Sequence, residues 1–113
     1  MDFMLIFSGL REAKIDPSVF QEMGRFAGEL AAQGKLKGGA PLFPEDEGAR
    51  VQVRDGKAVV TDGPFTETKE VIGGFFIIDA ADLKEAVAIA KRAPHAKVGF
   101  AEVRRVIPIG ERG

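Results

Sequence analysis

The 113-residue chain contains no cysteine, which excludes disulfides, thiolate nucleophiles and zinc-thiolate sites together. Tyrosine is also absent, His95 is the only histidine, and Ser8 and Ser18 are the only serines. Neither serine sits in a nucleophile elbow, so hydroxyl-based covalent catalysis has little to draw on. An excess of charge is missing too: sixteen basic against seventeen acidic side chains give a net charge of -1. There is thus no electrostatic footprint for nucleic acid or an anionic membrane. No run approaches the length of a membrane span, and there is no repeat or low-complexity tract. The apolar stretch Met1 to Phe7 is too short for a signal-peptide core and lacks basic flanks, so a cytoplasmic protein is expected.

What is present organises one domain over residues 1–113. Phe3, Leu5 and Phe7 alternate with Met4 and Ile6, so both faces of this strand are apolar and it belongs in the middle of a sheet. Asp16-Pro17 is a helix start, the stripe Val19, Met23, Phe26 and Leu30 has helical spacing, and Gly34 closes the helix. Gly38 to Ala49, with two prolines and the cluster Glu45-Asp46-Glu47, reads as a loop. Asp55-Gly56 between valines predicts a two-residue hairpin, and the stop signal Asp62-Gly63-Pro64 follows it. Phe75 to Ile78 forms a second strand apolar on both faces, and Gly73-Gly74 before it suits close strand packing or a bulge. Leu83, Ala86, Val87 and Ala90 mark a second helix, opened by Asp79 or Asp82 and closed by Pro94. On the last strand Phe100, Glu102 and Arg104 share one face while Ala101 and Val103 share the other.

The residues from Asp62 through Gly63-Pro64-Phe65 to Glu67, Lys69, Glu70, Gly73-Gly74-Phe75 and Asp79 resemble the signature of the DGPF family, a branch of the YCII-related proteins. The resemblance spans nearly the whole chain. It implies a ferredoxin-like α+β chain, with two helices on one face of an antiparallel sheet, that pairs into a dimeric α+β barrel with a ligand site in its cleft. Some relatives are encoded beside, or fused to, extracytoplasmic-function sigma factors, which implies an alternative role as a non-catalytic sensor or interaction module in transcription regulation. Related YCII proteins are thought to use a histidine and aspartate pair, the histidine lying on the first helix. Here the helix from Pro17 to Gln33 has no histidine, so that mechanism does not carry over.

Candidate chemistry then rests on charged groups with apolar neighbours. Asp62, Glu67 and Lys69, beside Phe65 and with Glu70 close by in sequence, would converge on a small polar or anionic ligand or form an acid/base group, or else decorate a solvated turn. Glu102 and Arg104 would face a cleft, or form a mutual ion pair at a sheet edge or subunit seam. His95 reads as a surface residue near a helix C-terminus and is expected to be dispensable. No catalytic residue is assigned, and no cofactor or metal is expected. The expected partners are a second copy of the chain and a small molecule.

Overall fold

The structure, a computed structural model, describes residues 1–65 and 69–111. Six strands and two helices follow one another as β1 (Asp2–Leu10), α1 (Ser18–Ala32), β2 (Leu36–Pro41), β3 (Ala49–Arg54), β4 (Lys57–Asp62), β5 (Glu70–Asp79), α2 (Leu83–Arg92) and β6 (Phe100–Arg105). Short 3-10 turns cover Glu45–Glu47 and Pro94–Lys97. Strands β1, β2, β5 and β6 form an antiparallel sheet in the order β2-β5-β1-β6, the ferredoxin-like arrangement. The central position of β1 explains its two apolar faces.

Local chemistry sets the element ends. The Asp16 carboxylate accepts the Ser18 N–H at 2.9 Å, Pro17 is already helical, and Gly34 leaves α1 with φ +71°. That hydrogen bond holds the Asp16 carboxyl below its ordinary value. At α2 the cap is Asp82, which accepts the Glu85 N–H at 2.8 Å. Both helices lie on one face, where Phe3, Leu5, Phe7 and Ile78 meet Phe26, Leu30, Ala86 and Ile89 in a single core. Leu5, Leu30 and Ile78 are completely buried.

Three expectations need correction. The sheet does not close into a barrel: it is open, and β2 and β6 are its two edges. The dimeric α+β barrel implied by the resemblance is therefore not the architecture of this chain. Secondly, part of the presumed loop after Gly38 is strand β2, which pairs with β5 through the backbones of Gly38 to Pro41. Gly39 makes this possible: its φ is +148°, and a Cβ there would collide with the Phe75 carbonyl oxygen. Thirdly, the strands do not all share the one antiparallel sheet that the resemblance implies, since the hairpin stays outside it. Asp55 and Gly56 adopt φ of 51° and 76°, as a type I′ turn needs, but β3 and β4 pair only with each other. This ribbon stands off the body, and the radius of gyration is 15.9 Å where a compact chain of similar length has about 13 Å.

The glycine pair before Phe75 behaves as its composition suggested. The β1–β5 register shifts between Phe7 and Ser8, which leaves Gly73 without a partner on β1. A Cβ on Gly74 would lie 2.9 Å from the Ala40 carbonyl oxygen, so glycine lets β2 approach.

Candidate functional site

Between α1 and the β2–β5 side of the sheet lies a cavity of about 310 Å³. Its space comes from small residues on facing walls, with Gly24 and Ala27 on the helix and Gly39, Ala40 and Gly74 on the strands. Two rings of its wall, Phe7 and Phe76, meet edge to face at 5.0 Å, and Phe76 stacks in turn on Phe26 of the core at 6.2 Å. The lining is almost wholly apolar, with His95 as its one titratable side chain.

His95 is not a surface residue. Only 8% of it is exposed, and Nε2 lies 2.8 Å from the Ser8 carbonyl oxygen. The turn Pro94–Lys97 carries the imidazole inward from the end of α2, and its ring sits 5.6 Å from that of Phe7. Gly99 leaves room for this arrangement, because a Cβ there would strike the Ser8 carbonyl and stand 2.8 Å from Nε2. The sequence offered a weak signal for this burial. His95 stands among Ala93, Pro94, Ala96 and Val98, with the glycine four residues on, but lacks a neighbouring acid to mark it.

A second cavity, of about 560 Å³, is also lined by His95. It shares Ile15, Gly73 and His95 with the first and adds a polar rim of Arg11, Glu45 and Asp46 beside Pro64. Arg11 donates to Glu45 Oε1 at 2.5 Å and to the Phe65 carbonyl at 2.5 Å, while the Phe65 N–H donates to the same Glu45 oxygen at 3.3 Å. The Arg11 bond holds the Glu45 carboxyl below its ordinary 4.5, against a smaller desolvation effect in the other direction. The Arg50 guanidinium lies over the Phe65 ring at 4.3 Å. A Cβ on Gly63 would collide with the Glu45 carbonyl oxygen. Gly63 and Phe65 thus tie their turn to the segment around Glu45 and to the end of β1.

The residues singled out from sequence are dispersed. Asp62 ends β4, exposed and opposite Ala49 in the ribbon. Phe65 is in the Arg11 cluster, and Lys69 is exposed, its backbone carbonyl accepting the Arg11 N–H at 2.8 Å. Glu67 lies outside the described residues. Among the described candidates only Glu102 and Arg104 bond each other directly, 3.1 Å apart on the edge strand β6, with their side chains 56% and 70% exposed. None of the described five lines either cavity. Among the described residues, no group of three or more His, Asp or Glu side chains is placed to hold a metal ion. Also among them, no helix is long and apolar enough to cross a membrane.

The model of the YCII-related domain matches residues 1–110. The chain belongs to the YCII-related domain family. This family member is 36% identical over 91 residues to an uncharacterized protein of Rhizobium meliloti (strain 1021), an alignment covering 79% of this chain and 73% of that protein. Among solved structures it is similar to a 5-chloro-2-hydroxyhydroquinone dehydrochlorinase from Burkholderia phenoliruptrix AC1100, in complex with 2,5-dihydroxybenzoquinone. The identity is 19% and the TM-score 0.44, over 95% of this chain and 94% of that one.

Proposed function

We propose that this YCII-related protein binds a small molecule in the cavity between α1 and the sheet. The observation that supports this best is the cavity's construction, an apolar space of about 310 Å³ with one buried polar side chain, the usual chemistry of a ligand pocket. A filler substitution tests it. Gly24 lines the space, and a Cβ there meets nothing within 4 Å, so Gly24→Leu occupies the cavity without a backbone clash. In a thermal-shift metabolite screen, true ligands raise the melting temperature of the wild type and leave Gly24→Leu unmoved. A screen in which every hit stabilises both proteins equally would rule the cavity out. Should the bound molecule be transformed, the ionisable groups around the two cavities are His95, Arg11, Glu45 and Asp46, which permits acid/base chemistry.

We further propose that the protein works as a homodimer. Strand alternation turns Met4, Ile6, Phe75 and Ile77 away from the helices, and each is left partly exposed. The ribbon adds a second apolar surface, since Val51, Val53 and Val60 share one of its faces and are each more than 60% exposed. Exposed apolar area of this kind calls for a partner. The Glu102–Arg104 pair on β6 would then lie along the seam. Analytical ultracentrifugation at micromolar concentration should find a dimer, and a monomer throughout would remove this reading.

A further inference from the structure

We infer that His95 Nδ1 is the hydrogen-bond acceptor that selects the ligand of the α1–sheet cavity, which is an apolar, ring-sized molecule carrying one O–H or N–H donor. The inference rests on the proposal that this cavity is the binding site. Ser8 offers Nε2 a carbonyl oxygen, which only accepts, so the proton of the neutral imidazole sits on Nε2 and Nδ1 keeps its lone pair. Among the described residues nothing bonds Nδ1. Nor is the atom sealed: no buried side-chain nitrogen or oxygen of the described residues lacks a partner. His95 is more than nine-tenths buried and lines both cavities. An acceptor with fixed tautomer is therefore presented where the other lining residues are phenylalanine, aliphatic residues, Met23, Pro41 and glycine. A ligand without a donor would bury that lone pair unpaired, whereas one with a donor in reach satisfies it.

The second cavity sharpens the geometry, because His95 stands where the two meet. The donor of the ligand therefore lies at the inner end of its apolar body, towards Gly73 and Ile15, which are common to both spaces. A substituent extending past the imidazole would reach Arg11, Glu45 and Asp46.

The test compares 2-naphthol with 2-methoxynaphthalene, which share a ring system but differ in the donor. The chain has no tryptophan or tyrosine, so probe fluorescence is read over a nearly silent protein. At about pH 8 the wild type should bind the naphthol at least tenfold more tightly. In His95→Leu the preference should fall below twofold, through loss of naphthol affinity with the methoxy compound still bound. Because that variant removes a core hydrogen bond, a second measurement is made on the wild type. With a single histidine in the chain, two ring ¹⁵N signals report the site without ambiguity. Naphthol should shift the Nδ1 signal and leave Nε2 nearly in place, and the methoxy compound should shift neither. Equal binding of both probes with an unmoved Nδ1 signal would overturn the role of His95 and leave the cavity proposal standing. Failure of both probes to bind at their solubility limits, or binding undiminished in Gly24→Leu, would overturn the cavity proposal and this inference with it.

Discussion

Arg11 Nη1 lies 2.5 Å from Glu45 Oε1, joining the segment after β1 to the 3-10 turn before β3. The Phe65 backbone completes the group from both sides, giving its N–H to Glu45 and its carbonyl to Arg11. Glu45 is thus a fixed point for the Gly63-Pro64-Phe65 turn.

Acid should release that point. The Glu45 carboxyl is held below its ordinary 4.5, chiefly by the Arg11 hydrogen bond, so the fold favours the ionised form. Its contribution is fully present above the ordinary value and is lost as pH falls through the lower folded value. Replacing Glu45 by the neutral isostere in Glu45→Gln should lower the melting temperature at about pH 6, and the gap to wild type should close towards about pH 3. Asp16 is depressed as well, but it is common to both proteins and cancels in the difference. A gap that stays constant across this range would mean that the carboxylate charge contributes nothing.

Gly24→Leu should stabilise the chain as well as fill the cavity. Gly24 is inside α1, where glycine costs about 1 kcal/mol relative to a good helix former, and the added side chain enters empty space. Urea denaturation should show a gain of about 0.5–1 kcal/mol. A large loss would show that the cavity is too narrow for the side chain and that its walls do not yield.

Periodicity and turn chemistry made much of this fold legible. The doubly apolar Phe3 to Phe7 run, the Asp16 start and Gly34 stop, Asp55-Gly56 and the alternation along β6 each act through a few adjacent residues. Strand β2 escaped because Lys37-Gly38-Gly39-Ala40-Pro41 has neither alternation nor β-formers. It is a strand because β5 supplies the hydrogen bonds, and its glycines matter for what they lack. The site was less legible for a related reason. His95 is drawn inward by a carbonyl 87 residues earlier in the chain, while Glu102 and Arg104 satisfy each other on an edge. Local sequence records the second partnership, two residues apart, but not the first.

The ribbon should yield without taking the sheet with it. Gly56 has φ +76° and no neighbour within 4 Å of a Cβ, so Gly56→Val acts through backbone conformation alone, at about 1 kcal/mol or more. Since β3 and β4 pair only with each other, the loss falls on them. Amide exchange should accelerate across residues 49–62 while β1 and β5 keep their protection. Protection lost equally from β1 would show that the ribbon is integral to the core.

Arg104→Ala should separate a surface ion pair from a seam. Arg104 faces Glu102 at 3.1 Å with most of its side chain in solvent, a setting in which a pair contributes about 0–1 kcal/mol. In dilute solution, with the chain monomeric, the urea midpoint should therefore barely move. Association is another matter, because Arg104 lies opposite Met4 on the sheet face turned away from the helices, next to the apolar surface assigned to the second copy. Docking would remove water from the pair, and deleting the arginine would leave Glu102 without its partner in a drier place. Sedimentation should then show dimerisation several-fold weaker than in the wild type, with naphthol binding to the cavity unchanged. If dimerisation is unaltered while a small-anion ligand loses affinity instead, β6 carries the binding site and the α1–sheet cavity does not.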